Sequence, residues 1–111
     1  MDTSTTPTVL SGDEVVDRPS VPLGNIDGVS HRVLWQDGTS MAGLLTVRAG
    51  HRLGSHQHRE NQHHLWMQEG RAEILGVELG PGAYVHIPSS VVHDIDARAT
   101  EGCTVFYLYV R

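Results

Sequence analysis

The sequence predicts an all-β domain, a sandwich or barrel of short antiparallel strands. Two observations carry this. Extended runs recur about every 8–12 residues, each closed by turn residues. No segment sustains the roughly 3.6-residue apolar period of an amphipathic helix. HRVLWQ at 31–36 ends at Asp37-Gly38, a hairpin signal. MAGLLTVR at 41–48 ends at Ala49-Gly50, and HHLWMQ at 63–68 ends at Glu69-Gly70. RAEILG at 71–76 and VEL at 77–79 flank Gly76. Gly80-Pro81-Gly82 turns into AYVHI at 83–87, which stops at Pro88. VVHDIDA at 91–97 and CTVFYLYV at 103–110 complete the set. Residues 1–30 are assigned to an N-terminal arm and residues 31–111 to the β domain. Ser, Thr, Asp and Pro enrich residues 1–20, so this part reads as a flexible arm or a docked edge segment.

At 111 residues the chain is one domain with room for a single core. No apolar run approaches the ~20 residues of a membrane-spanning helix, so no membrane association is expected. The N-terminus has neither a basic n-region nor an apolar h-region and does not read as a secretory signal. The one cysteine, Cys103, excludes an internal disulfide framework, and the expected location is cytoplasmic. All eight basic residues are arginine, and thirteen acids leave a net charge of −5. Without a basic stripe to neutralise phosphates, nucleic acid is not an expected partner.

Histidine is the compositional anomaly: eight in the chain, four of them between 56 and 64. His56 and His58 are two apart, so on an extended chain they share a face. His63 lies in the next extended run, and His93 comes from a third. Several imidazoles around one cation make a transition-metal site, because this ligand suits Zn, Cu, Fe and Ni. Strand alternation puts His63, Leu65 and Met67 on one face and His64, Trp66 and Gln68 on the other. Only one of the adjacent pair His63 and His64 can face the HxH pair.

These residues carry a resemblance. Gly50, five residues, His56, one residue, His58, four residues, His63, six residues, Gly70 resembles the first motif of the cupin family. Gly82, five residues, Pro88, then Ser90, two residues and His93 resembles the second. The chain has His63 where the family usually has Glu, Ser90 where it usually has Gly, and Ala97 where it usually has Asn. The resemblance covers about residues 41–110 and implies a small jelly-roll barrel. It also implies one divalent metal ion inside the barrel, with His56, His58, His63 and His93 as ligands; the motif spacing to Gly70 selects His63 over His64. Fe, Mn or Zn is the expected metal, with Ni and Cu as further options. Four neutral imidazoles leave a dication its full formal charge, which favours binding of an anionic oxygen.

The remaining candidates are weaker. In the last strand Thr104, Phe106, Leu108 and Val110 form the more apolar set and read as core, although either set can line a two-sheet interior. Tyr107 or Tyr109 could donate to a bound oxygen, or could be an interface tyrosine. Arg48 is a candidate for a substrate carboxylate, or a solvated rim arginine. Glu60 reads as a solvated loop acid, Cys103 as a small core residue, and His31, His51 and His86 as structural or exposed. Trp35 and Trp66 read as packing or dimer contacts.

Three functions follow from the resemblance. The first is a metal-dependent oxygenase that cleaves C–C or C=C bonds of a small enolisable, diketone or phenolic substrate. The second is non-redox Lewis-acid catalysis, such as polyketide cyclisation or isomerisation. The third is a metal- or ligand-binding sensor module, ranked last because no helical partner-binding segment accompanies the β domain. A homodimer paired through an outer sheet face is expected.

Overall fold

The structure, a computed structural model, describes residues 6–111. It is built on one antiparallel sheet of seven strands, so the all-β jelly-roll expectation holds. The strands are β1 (Val21–Pro22), β2 (Val29–Asp37), β3 (Ser40–Arg48), β4 (Gln62–Ile74), β5 (Val77–Leu79), β6 (Tyr84–Ile87) and β7 (Gly102–Val110). Their spatial order is β1-β2-β3-β7-β4-β5, with β6 also paired to β4. The second wall of the barrel comes from two irregular segments, residues 50–56 and 93–97. They exchange backbone hydrogen bonds from Gly50 N–H to the Ala97 carbonyl, Leu53 to Ile95, and His56 to His93. Asp96 also exchanges a pair with Glu73, which ties this wall to β4. Predicted strand 91–97 is therefore paired but broken into single bridges.

Between the walls sit Leu45, Val47, Leu65, Met67, Ile74, Ile87, Ile95 and Val105, all nearly inaccessible. Their period-two spacing along β3, β4 and β7 supplies the apolar inner face. Each such side chain contributes about 1.5–3 kcal/mol when fully buried.

Two local expectations are corrected. Runs 63–68 and 71–76 are one strand, β4, and Glu69-Gly70 is not its end. The pairing with β7 shifts between Met67 and Glu69, making a bulge. Gly70 takes φ 71° there, and any Cβ would collide with the Gly102 carbonyl, so the turn-like dipeptide serves a bulge. In β7 the buried side is Cys103, Val105 and Tyr107, not Thr104, Phe106 and Leu108. Register explains this: Val105 and Tyr107 pair with Leu45 and Gly43 of β3, whose side of the sheet faces the core. The N-terminal arm carries a short helix, α1 (Gly12–Asp17). Ser11 and Glu14 form a capping box, Ser11 Oγ accepting from Glu14 N–H and Glu14 Oε1 from Ser11 N–H. Farther along, β1 pairs with β2 and Leu23 packs against the core, so this stretch is docked. The arm's residues 1–5 lie outside the described residues.

The β4–β5 turn holds Leu75 at φ 51° and Gly76 at φ 81°, the two successive positive values of a type I′ hairpin. A left-handed conformation costs a Leu about 1–2 kcal/mol. Half of the Leu75 side chain is exposed, so little packing offsets that cost. Leu75→Asn should therefore raise the free energy of unfolding by about 1 kcal/mol. Urea denaturation checks this; a lower midpoint would show that Leu75 contacts outweigh its backbone strain.

Candidate metal centre

Four histidines converge at one end of the barrel. His63 projects inward from β4 at 2% exposure, level with Tyr109 of β7 and Ile87 of β6. His64 lies on the outer face, bonded through Nδ1 to the Tyr84 hydroxyl at 2.6 Å. His56 and His58 come from the connection between β3 and β4, and His93 from that between β6 and β7. Reciprocal N–H to carbonyl bonds of 2.9 Å hold the His56 and His93 backbones together. His58 is anchored by its carbonyl, which accepts from Ser90 N–H at 2.6 Å. Ring centroids lie 4.1 Å apart for His56 and His93, 4.0 Å for His58 and His63, and 5.0 Å for His63 and His93. His56, His58 and His63 each offer a nitrogen within 4.8 Å of the others and could together hold a metal ion.

The protonation chemistry suits such an ion. His56 Nδ1 is 2.8 Å from the Gly54 carbonyl, and His93 Nδ1 is 2.9 Å from the Val91 carbonyl. A carbonyl can only accept, so each Nδ1 carries the hydrogen and each Nε2 keeps its lone pair. His63 Nε2 is buried without a hydrogen-bond partner. Such an orphaned nitrogen is costly unless something occupies its lone pair or takes its hydrogen. Burial, with the nearby His58, His93 and His56 rings, lowers the His63 imidazole from 6.5 to about 3. Burial also lowers His58, with His56 and His93 adding to it, and lowers His93 against the opposing bond to the Val91 carbonyl. Neutral nitrogen donors on a buried wall fit a transition metal.

Asp94, next to His93, ties the histidine-bearing segments together. Its carboxylate accepts from Arg52 Nε at 2.7 Å and from Gly54 N–H at 2.7 Å. Gly54 in turn presents the carbonyl that fixes the His56 ring. Nothing in the sequence marks this clamp, because its parts are forty residues apart and meet only through the fold.

The other sequence candidates divide. Tyr109 stacks on His63 at 3.9 Å, and Tyr107 stacks on Tyr109 at 4.7 Å. Both tyrosines line a cavity of about 630 Å³ that also includes His58. Burial raises both phenols, so both remain protonated donors at neutral pH. Arg48 is not brought to the cluster. It pairs with Gly102 at the end of β3 away from Met41 and Tyr109, and lines a separate cavity with Glu69 and Cys103. Glu60 is exposed and pairs with Arg111. Cys103 is buried in the core, and its thiol is pushed up to about 11 by burial. His31, which reads from sequence as structural or exposed, lines the same cavity as His58 and meets the Tyr107 hydroxyl.

The lowered His63 value gives a signed expectation for the metal-free protein. Between pH 6.5 and about 3 the unfolded chain binds a proton that folded His63 refuses. Stability therefore falls as pH drops through that window. His63→Gln should flatten this part of the stability profile, read from thermal midpoints across pH 3–7. Parallel profiles for the two proteins would contradict it.

Residues 13–110 match the family described as ChrR Cupin-like domain. No curated protein is significantly similar in sequence. Among solved structures, the polyketide cyclase RemF from Streptomyces resistomycificus superimposes with a TM-score of 0.76 at 18% identity, over 91% of this chain and 79% of that one. An RmlC-like cupin from Shewanella frigidimarina gives 0.76 at 18% identity, over 94% and 90%. A chain of the Rhodobacter sphaeroides SigE complex with the anti-sigma ChrR gives 0.70 at 21% identity. That match covers 86% of this chain, which spans only 50% of the other. Among the described residues no helix is long and apolar enough to cross a membrane. The barrel, both histidine motifs and the match over nearly the whole length agree: the chain belongs to the ChrR Cupin-like domain family of the cupin superfamily.

Proposed function

We propose that this cupin is a metal-dependent enzyme. It holds one divalent transition metal ion through His56, His58, His63 and His93 and acts on a small enolisable, diketone or phenolic substrate. Oxygenase chemistry at a C–C or C=C bond is the first reading. The observation that carries the proposal is the convergence of four imidazoles beside a cavity of about 630 Å³. A bound ion would supply Lewis acidity toward an anionic oxygen and, if iron or manganese, redox chemistry with O₂. The protein's own residues would do the rest. Tyr109 covers His63 and shields the ring from water, and Asp94 with Gly54 keeps the His56 ring in one orientation. Non-redox Lewis-acid catalysis is the second reading. It is favoured by the all-nitrogen donor set, which leaves a dication its full charge.

The two readings separate by experiment. Iron-loaded protein given a small 1,3-diketone should consume O₂ with loss of the diketone, and zinc-loaded protein should not. Deuterium exchange at the diketone's central carbon by the zinc form, without O₂ uptake by the iron form, would establish the second reading. Neither activity would refute both. His56→Ala and His58→Ala should each abolish stoichiometric metal in elemental analysis. His63→Glu should retain it, and His64→Ala should leave it intact. Asp94→Asn should weaken metal binding about 10- to 100-fold, the usual effect of removing a group that orients a ligand. Full metal occupancy in a His56→Ala/His58→Ala double variant would reject the site.

We propose further that two copies pair through the outer sheet face. Trp66 there packs between Tyr84 and Phe106, at 5.1 and 5.5 Å, with His64 stacked beside it. Light scattering at micromolar concentration should give twice the chain mass. The mass of one chain would reject the dimer.

A further inference from the structure

The cavity beside the histidine cluster holds a second polar group that the chemistry above leaves unused. A row of rings runs from His63 through Tyr109 and Tyr107 to His31, with successive centroids 3.9, 4.7 and 6.5 Å apart. Tyr107 is 1% exposed, and its hydroxyl lies between His31 Nδ1 at 3.2 Å and Met41 Sδ at 3.3 Å. In the His31 tautomer protonated on Nδ1, the ring donates to the Tyr107 oxygen, and the phenolic hydrogen is left facing the thioether. A thioether is a weak acceptor, so a buried donor is held against a poor partner. The neighbouring strand leaves room for this hydroxyl. Gly43 of β3 lies against it, and a Cβ at that position would collide with the Tyr107 hydroxyl. Met41, His31 and Tyr107 all line the same cavity as His58 and Tyr109. An oxygen acceptor entering that cavity would make a stronger bond than the sulfur does.

We propose that His31 and Tyr107 form a donor relay that binds a second carbonyl or enolate oxygen of the substrate. The ligand class is then a planar conjugated molecule bearing two oxygens, one directed at the histidine cluster and one at the Tyr107 hydroxyl. The rings of Tyr107 and Tyr109, stacked 30° from parallel, line the cavity between those two anchors. This inference deepens the metal-enzyme reading and rests on it only for the first oxygen; the second anchor belongs to the protein alone.

The test uses calorimetry with 1,3-cyclohexanedione, whose enolate is planar with two oxygens, and with cyclohexanone, which has one. The full chain, Tyr107→Phe and His31→Ala are compared, zinc-loaded and metal-free, with zinc content measured on each sample. Tyr107→Phe should weaken dione binding about tenfold or more, as loss of a hydrogen bond to a charged group does. His31→Ala should weaken it severalfold by freeing the hydroxyl to rotate. Cyclohexanone binding to the zinc-loaded proteins should be the same in all three. The Tyr107 dependence should persist in the metal-free protein, with weaker absolute affinity. A chain that takes up no zinc would refute the metal reading and leave this contrast measurable. Equal dione affinity for the full chain and Tyr107→Phe would overturn the subsite, and so would an absence of dione binding in both metal states. Circular dichroism verifies that each variant folds, and if one fails the other decides.

Discussion

The reciprocal backbone bonds between His56 and His93 are the contact on which the site depends. Each is 2.9 Å long, and together they join two irregular segments that have no regular strand pairing of their own. A pair of buried amide bonds contributes only about 1–3 kcal/mol net, but leaving either group unpaired costs as much again. The Asp94 carboxylate reinforces the junction by gripping Arg52 and Gly54 at once. With the wall closed, His56 and His93 lie at van der Waals range, and His63 completes the group from the opposite sheet. Separating the segments would open the barrel and scatter the histidines in the same event. Fold stability and site geometry are thus one quantity at this end of the molecule.

That coupling also explains the electrostatics. Burial holds His63 far below the ordinary histidine range and lowers His58 and His93 as well. Buried His63 is therefore neutral at pH 7 in the metal-free protein, with its Nε2 lacking a partner. A cation offsets that deficit where a proton would not. Native proteins keep few unsatisfied buried polar groups, and this one lies among the converging histidines.

Much of this was legible in the sequence because the relevant patterns are local. Strand alternation places His63, Leu65 and Met67 on one side of β4 and His64 and Trp66 on the other, and short runs punctuated by glycine give the all-β class. What was not legible depends on partners far along the chain. Glu69-Gly70 resembles a hairpin turn until β7 is laid beside it, and only then is Gly70 required by the Gly102 carbonyl. Which face of β7 is buried depends on its pairing with β3, because tyrosine is less apolar than phenylalanine and its burial is offset only in part, by His31 and the weak acceptor Met41 at the Tyr107 hydroxyl. The α1 helix had a readable signal, Ser11 followed three residues later by Glu14, inside a stretch whose composition suggested disorder. Arg48 was singled out from its position before the first motif, yet the strand carries it to the opposite end of the sheet.

X-ray absorption of the zinc-loaded protein tests the proposed four-imidazole centre most directly. The account predicts a first shell of nitrogen at about 2.0–2.1 Å, with the multiple scattering of about four imidazole rings and no sulfur. A sulfur shell near 2.3 Å, or a first shell without imidazole scattering, would contradict it.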